Sequence, residues 1–191
     1  MLRLILSQIG VPFNVIRWIM ACVSSTNYAI LVNGSPTPFF KAGRGLRQGC
    51  PLSPLLFLLL IEGLSRMIKA SQEEGTFRGI SLTRVLSITH LLFVDDIVIF
   101  GNSSFSEWQH LYSIFTTFSL ASGMLINYQK TALIPFGLHR DILGQILSLF
   151  PGRLDSFDLG LKYLGYFIKA NNYQFRDWQW LLDKMDHRIN H

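Results

Sequence analysis

Apolar side chains recur at roughly every third or fourth position in several parts of the chain, which places them on one face of a helix. The pattern predicts helices over residues 2–9, 15–23, 54–71, 107–122, 140–149 and 178–189. Ser53 and Pro54 are typical N-cap and first-turn residues, so we expect them to begin the third helix. Gly123 suits the position just after the fourth helix.

Shorter apolar runs, bounded by turn residues, predict β-strands between these helices. The strongest turn signal is Asn33-Gly34, a dipeptide typical of tight hairpins. The expected strands are residues 28–32, 37–41, 88–94, 97–100, 125–127, 131–134 and 162–169. Helices mixed with hairpins in this way predict an α+β domain.

The sharpest chemical feature is a pair of adjacent carboxylates, Asp95 and Asp96, in the segment LLFVDDIVIF. If the flanking strands are buried and Phe93 belongs to the core, the two charges repel each other and lose hydration. Mg²⁺ would compensate them, because it prefers oxygen ligands and keeps substrate phosphates in its coordination shell. The alternative is a solvent-exposed turn, where Asp is common.

A basic loop rich in Gly and Pro, GRGLRQGCPLSP, precedes the third helix. Gly45 and Gly49 allow the backbone to come close to a ligand. Arg44, Arg47 and Gln48 offer hydrogen-bond donors to phosphate or sugar oxygens. The alternative is a purely structural connection, but a basic Gly-rich loop, a helix and an acidic hairpin in succession favour a nucleotide site.

The charges are distributed unevenly along the 191 residues. There are 17 Lys and Arg against 12 Asp and Glu, a formal net charge of +5, yet Asp and Glu are absent from residues 1–61. That segment contains Arg3, Arg17, Lys41, Arg44 and Arg47. Such a surface attracts a polyanion, although a basic surface without a specific partner remains an alternative.

The two cysteines, Cys22 and Cys50, are too few for a disulfide framework. Free thiols indicate an intracellular protein, in either the nucleus or the cytoplasm. Gly10 and Pro12 interrupt the apolar N-terminus, which we interpret as part of the mature fold rather than a signal peptide. The apolar runs are too short to span a membrane.

Five segments, in order, resemble the palm of reverse transcriptases from non-LTR (LINE-type) retrotransposons. They are CVSSTNYAILVNGSPTPFFKAGRGLRQGCPLSP, ITHLLFVDDIVIFG, SGMLINYQKT, KYLGYFI and DWQWLLDKMDHRINH. The resemblance implies a reverse-transcriptase palm, an antiparallel sheet backed by helices, over residues 1–170, with a remnant of the fingers and palm at its N-terminus. Residues 171–191 would begin the thumb, and the domain would be truncated at both ends.

The resemblance also implies an RNA-directed DNA polymerase, a nucleotidyltransferase that uses an RNA template, a DNA primer and deoxynucleoside triphosphates. Asp95 would be the main ligand of a catalytic Mg²⁺ or Mn²⁺, and Asp96 would support it. Lys130 matches a lysine that assists the pyrophosphate leaving group; a solvated lysine before a strand is the alternative.

Two further groups of residues take roles from the same resemblance. Arg47, Gln48, Gly49 and Pro51 would form the pocket of the incoming nucleotide. The primer terminus would be placed by Tyr163, Leu164 and Gly165, although a purely structural strand explains the first two equally well.

One departure from the family pattern limits the expected activity. Family members carry a further metal-binding aspartate on an earlier palm strand, whereas the first acidic residue here is Glu62, on the helix after the Gly-rich loop. Because this chemistry depends on positioning and electrostatics, we expect the chain to be inactive by itself. Without that strand a sheet edge would be exposed, so we also expect weak solubility or self-association.

Two other functions are compatible with the sequence. A non-catalytic nucleic-acid-binding remnant would explain the acid-free N-terminal third, and its binding would weaken as salt rises. A structural or interaction protein that reuses the scaffold would pair through exposed apolar edges and have negligible affinity for nucleic acid.

Overall fold

The computed structural model describes residues 1–41, 43, 45–47, 49–156, 160–169 and 173–190. Its helices are α1 Leu2–Gln8, α2 Phe13–Ser24, α3 Ser53–Glu73, α4 Phe105–Ser122, α5 Arg140–Leu149 and α6 Gln179–Ile189. The six predicted helices are therefore confirmed to within a few residues at their ends. The chain divides into two compact units, residues 1–126 and residues 127–191.

The strands are shorter than the sequence predicts. They are β1 Asn27–Tyr28, β2 Leu31–Val32, β3 Ser35–Pro36, β4 Phe40–Lys41, β5 Ile80–Ser81, β6 Ser87–Ile88, β7 His90–Phe93, β8 Asp96–Ile99, β9 Ala132–Leu133, β10 Arg153–Leu154, β11 Leu161–Tyr163 and β12 Tyr166–Ile168. Within the described residues each strand pairs with one other, as β1–β4, β2–β3, β5–β6, β7–β8, β9–β10 and β11–β12. The mixed α+β class is confirmed.

The centre of the first unit is α3, which buries Leu56, Leu60, Leu64 and Ile68. These side chains recur at helical spacing and form one apolar face. Helices α1 and α4 and strand β7 pack against α3. The apolar face of α3 therefore supports the acidic hairpin, because strand β7 packs against this helix.

The start of α3 differs from the prediction. The helix begins at Ser53 itself, with Leu52 before it, and the Ser53 hydroxyl does not cap the helix. It instead donates a hydrogen bond of 2.7 Å to the carbonyl oxygen of Arg47. The side chain thus fastens the end of the Gly-rich loop to the helix.

The N-terminal hairpin turns at Asn33-Gly34 as predicted, with φ of 51° and 82°. Its two predicted strands are each interrupted, because the prolines that flank Thr37 have no backbone N–H for the ladder. At the gap, the amide of Ile30 donates to the Thr37 hydroxyl at 3.0 Å, and the Thr37 amide donates to the Ile30 carbonyl at 2.9 Å. A side chain therefore replaces part of the backbone ladder.

The second unit contains a crossover and a hairpin. Strands β9 and β10 are parallel, with α5 between them in the chain, and Ile146 of α5 is buried. The apolar pattern predicted one strand over residues 162–169, whereas the resemblance of KYLGYFI to the primer-grip hairpin implied a turn. The segment turns at Leu164-Gly165 to form the hairpin β11–β12. The expected strand at residues 125–127 does not form.

Candidate active site

Asp95 and Asp96 lie at the tip of the β7–β8 hairpin. Phe93 pairs with Asp96, so Val94 and Asp95 form the turn and β8 begins at Asp96. Both carboxylates are exposed, and Phe93 is 55% exposed rather than part of the core. The expectation of a buried pair was therefore wrong: the apolar neighbours at the tip are themselves on the surface, so burial does not force the two charges to be compensated.

The hairpin is fastened to α3 through His90, the first residue of β7. The ring Nε2 of His90 lies 2.9 Å from the Ser65 hydroxyl, and Nδ1 lies 2.9 Å from the Thr89 hydroxyl. Burial lowers the pKa of His90, and the positive charge of Lys69 lowers it further. The contact between the imidazole of His90 and the Ser65 hydroxyl thus joins the strand to the helix.

From this attachment, β7 runs back toward the beginning of α3. Val94 and Leu55 line the same apolar cavity of about 540 Å³. The strand from His90 to Val94 covers about 13 Å, close to the ~15 Å rise of α3 between Leu55 and Ser65. The carboxylates are therefore carried toward the end of α3 where the Gly-rich loop joins it.

The turn itself has an unusual backbone. Val94 has a φ of 52°, a left-handed conformation that a β-branched residue rarely adopts. Such conformations persist where the surrounding structure imposes them, often beside functional groups. In this hairpin, the left-handed residue is Val94, which directly precedes the candidate metal ligand Asp95.

The Gly-rich loop forms one wall of a second cavity, of about 480 Å³. Gly45 and Gly49 have φ of 87° and 77°, conformations that glycine adopts without strain. Arg47 lines the cavity, Pro51 is exposed beside it, and residues 44 and 48 lie outside the described residues. The nucleotide role of Gln48 thus stays a prediction. The remaining lining comes from Cys22, Val23, Ser25, Thr26, Asn27, Leu46, Cys50, Leu52, Ser53 and Leu56.

Cys50 lies at the junction between this loop and α3. Backbone hydrogen bonding at Leu52 lowers the pKa of its thiol, and hydrogen bonds at Ser53 act in the same direction. Both cysteines are free thiols, as predicted. The junction thus favours negative charge, in keeping with N–H groups gathered at a helix start.

Lys130 lies in the second unit, in a turn organised by Asn127. The Lys130 amide donates to the Asn127 carbonyl at 3.0 Å, and the Gln129 amide donates to the Asn127 side-chain oxygen at 3.1 Å. The Lys130 side chain is exposed just before β9. Both a leaving-group role and plain solvation agree with this position.

The predicted primer-binding residues form the turn of the β11–β12 hairpin. Tyr163 pairs with Tyr166 across it, and Leu164 and Gly165 have φ of 53° and 87°. Trp180 of α6 packs edge-on against Tyr166, with ring centroids 6.0 Å apart. The hairpin is therefore held by the final helix of the same unit.

The sequence also matches a known family. A family model described as reverse transcriptase (RNA-dependent DNA polymerase) matches residues 5–168, which is most of the chain. The chain belongs to the reverse transcriptase family. The predicted resemblance is confirmed by this membership.

Two curated proteins are also similar to parts of the chain. An uncharacterized mitochondrial protein of Arabidopsis thaliana is 46% identical over 67 residues, which are 35% of this chain and 55% of that protein. The retrovirus-related Pol polyprotein from type-1 retrotransposable element R2 of Popillia japonica is 27% identical over 125 residues, 65% of this chain and 20% of the polyprotein. The chain spans about half of the first relative and a fifth of the second.

Reverse transcriptases use divalent metal ions, and the donors at the hairpin tip fit such an ion in kind. Asp95 and Asp96 supply hard carboxylate oxygens, which Mg²⁺ and Mn²⁺ prefer. Across the described residues, however, no group of three or more His, Cys, Asp or Glu side chains is placed to hold a metal. Glu62 instead pairs with Arg66 at 2.9 Å.

No helix among the described residues is long and apolar enough to cross a membrane.

Sequence reasoning missed two polar contacts in the interior of the unit that carries this reverse transcriptase hairpin. His90 and Ser65 are 25 positions apart, and only the packing of β7 on α3 brings them together. Glu107 of α4 is buried and accepts hydrogen bonds of 2.8 Å from the Arg78 amide and the Asn102 side chain. A charged residue on the apolar face of a predicted helix was the one available signal for Glu107.

Proposed function

We propose that this chain is the palm portion of a LINE-type, RNA-directed DNA polymerase in which Asp95 and Asp96 hold the catalytic divalent cation. The family match over residues 5–168 carries the proposal. The supporting geometry is the exposed carboxylate pair at the tip of a hairpin whose root is tied to α3. We assign residues 1–170 to the palm and 171–191 to the start of the thumb.

The residues around the pair would have complementary roles. Asp95 and Asp96 would hold a divalent cation, which would supply positive charge beside the transferred phosphoryl group and the primer hydroxyl. Asp95 and Asp96 orient it, and exposure leaves them open to a triphosphate. Arg47 and the backbone at Gly49, with Pro51 and Gln48, receive the nucleotide. Lys130 assists the leaving group.

We propose that RNA template and DNA primer are the macromolecular partners, because residues 1–61 carry positive charge without any acidic residue. The β11–β12 turn at Tyr163, Leu164 and Gly165 would contact the primer terminus. Binding by such a surface depends on counterion release and weakens with salt.

The 191-residue chain should not extend a primer alone. Two carboxylates supply too few ligands for two metals and a triphosphate, and loss of one ligand removes much of the transition-state stabilisation. Primer extension on an RNA template, with Mg²⁺ and then Mn²⁺, tests this expectation. Binding without extension is expected; robust extension that disappears in Asp95→Ala would overturn it.

A non-catalytic nucleic-acid-binding protein is the second candidate, favoured by the same acid-free segment. It differs from the first in what the carboxylates do. Both candidate functions predict that the Asp95→Asn, Asp96→Asn double variant retains its affinity for RNA. Only the polymerase palm predicts that the wild-type carboxylates bind a metal–nucleotide complex.

We also propose that the chain self-associates through its strand edges. Among the described strands, neither β7 nor β8 pairs with a third strand, so the hairpin presents unpaired backbone groups that can recruit another strand. Sedimentation velocity over a range of concentrations should show reversible oligomers. A monomer with one cooperative melting transition at every concentration would contradict this.

A further inference from the structure

The two cysteines of the chain line the same cavity, the one beside the Gly-rich loop. Cys22 lies near the C-terminal end of α2 and is exposed. Cys50 lies on the loop itself, between Gly49 and Pro51, and is partly exposed. The fold therefore brings two thiols from distant parts of the sequence to one cavity.

The surroundings of Cys50 favour the thiolate form. Backbone hydrogen bonding at Leu52 lowers the pKa of this thiol; burial opposes the effect, whereas hydrogen bonds at Ser53 and the positive charge of Arg47 reinforce it. Arg47 lines the same cavity, and residues 1–61 contain no Asp or Glu that would offset its charge. Because the thiolate is the nucleophilic form of cysteine, Cys50 is suited to attack an oxidant.

The loop that carries Cys50 has room to approach α2. A Cβ atom built on Gly45 or on Gly49 would meet no atom within 4 Å, so little packing resists displacement at these two positions. A sphere of 480 Å³ is about 10 Å across, whereas disulfide-linked Cα atoms lie about 5.5–6 Å apart. A disulfide across the cavity would thus draw the loop toward α2 and narrow the space between them.

We propose that Cys22 and Cys50 form a reversible disulfide that crosses this cavity and links α2 to the Gly-rich loop. Cys50 is the site of oxidation, and Cys22 is the thiol that resolves it. The oxidant is a hydroperoxide, and a dithiol reductant restores the two free thiols. The disulfide does not depend on metal binding by Asp95 and Asp96.

The chemistry has two steps. The Cys50 thiolate attacks one oxygen of hydrogen peroxide, the O–O bond breaks, hydroxide leaves, and a sulfenic acid forms on Cys50. The Cys22 thiolate then attacks the sulfur of this sulfenic acid; the S–S bond forms, the S–O bond breaks, and a second hydroxide leaves. With the two thiol protons, the products are one disulfide and two water molecules for each peroxide.

Narrowing of the cavity should weaken nucleotide binding, a consequence that rests on the proposed role of the Gly-rich loop. The affinity for a fluorescent deoxynucleoside triphosphate with Mn²⁺ should decrease at least about tenfold after oxidation and recover with dithiothreitol. Cys50→Ser, compared with its own untreated form, should keep its affinity after peroxide treatment. Unchanged affinity in a chain that carries the disulfide would contradict closure of the cavity. Failure of the reduced chain to bind nucleotide would instead contradict the proposed function.

Mass spectrometry of the full chain after peroxide treatment tests the disulfide without reference to nucleotide. The intact monomer should lose two hydrogen atoms. Trypsin cleaves after Arg17, Lys41, Arg47 and Arg66, so the bond should join the peptides 18–41 and 48–66. The same treatment in urea, which removes the cavity, should form this bond at least about tenfold more slowly, because the folded chain raises the effective concentration of one thiol near the other.

The two single-cysteine variants assign the roles within the pair. Cys22→Ser should accumulate the sulfenic acid on Cys50, where dimedone traps it. In Cys50→Ser, the remaining Cys22 should be labelled at least about fivefold more slowly, because its attack does not benefit from the surroundings of Cys50. Equal labelling in the two variants would contradict the assignment of Cys50 as the site of oxidation.

Three outcomes of the peroxide experiment would overturn the disulfide itself. One is a treated monomer that yields no joined 18–41 and 48–66 peptides. Another is a bond that forms as fast in urea as in the folded chain. The third is a product that migrates only as a disulfide-linked dimer on a non-reducing gel, which would assign exposed Cys22 to a contact between copies of the chain.

Discussion

The Ser65 hydroxyl and the Nε2 atom of His90 lie 2.9 Å apart and join α3 to the root of the acidic hairpin. Both residues are at least half-buried, and Ser65 is almost fully enclosed. An unmade hydrogen bond is costly in such surroundings. The position of Asp95 and Asp96 therefore depends on a contact at the opposite end of β7.

This contact makes stability sensitive to acid. Because burial lowers the pKa of His90 below the ordinary 6.5, the unfolded chain takes up the proton more readily than the folded one. The stabilisation is complete above pH 6.5 and is lost as the pH falls through that value toward the folded pKa. The urea concentration at the unfolding midpoint should decrease as the pH is lowered from 7 to 5. The decrease should be smaller in His90→Gln than in the wild type.

His110→Gln provides the matched control, because among the described residues the ring of His110 on α4 takes part in no ion pair. Its pH profile should follow the wild type. Equal acid sensitivity in wild type and His90→Gln would remove His90 as the cause.

Replacing Val94 should relieve strain at the hairpin tip. Asparagine tolerates a φ of 52° better than a β-branched residue, so Val94→Asn should stabilise the chain by about 1 kcal/mol. Val85→Asn is the comparison, since Val85 is 96% exposed and has no positive φ; its free energy of unfolding should barely change. If chemical denaturation ranks the two variants equally, Val94 stores no strain.

Gly101 follows the hairpin and lies against a fixed indole. A Cβ atom there would be 2.3 Å from Cζ2 of Trp108, whose ring N–H donates to the Asn102 carbonyl at 2.9 Å. Gly101→Ala should therefore cost about 1–3 kcal/mol and change the near-ultraviolet circular dichroism of the tryptophans.

Gly144 offers the opposite case on α5, where an added Cβ meets no atom within 4 Å. Gly144→Ala should gain up to about 1 kcal/mol through helix propensity. Urea unfolding that shows similar effects for the two alanines would contradict the close contact with Trp108.

The helices were predictable from the sequence because their apolar faces repeat over many residues. Residues 140–149 form α5 with the predicted bounds, and α4 ends before Gly123, whose φ of 76° is the expected C-terminal conformation. The strands were harder to predict, since pairing depends on partners elsewhere. Thr37 illustrates this: its hydroxyl and amide fill a gap that neighbouring prolines open.

The candidate site was predictable in its chemistry but not in its surroundings. An apolar run on either side of Asp95 and Asp96 predicted a hairpin with carboxylates near its turn. The same run suggested burial, whereas Phe93 and Val94 are exposed. Short apolar strands have similar sequences whether they are buried or exposed. The burial of the hairpin tip depends on tertiary contacts, which the local sequence pattern does not predict.

The role of Asp95 and Asp96 is tested most directly by titrating the chain with Mn²⁺ in the presence of a deoxynucleoside triphosphate, with electron paramagnetic resonance to count the bound ion. We predict saturable binding that weakens at least about tenfold in Asp95→Asn and less in Asp96→Asn, while Asp186→Asn, an exposed control, retains the wild-type affinity. Unchanged Mn²⁺ affinity in the Asp95→Asn, Asp96→Asn double variant would contradict the assignment of the hairpin as a metal site.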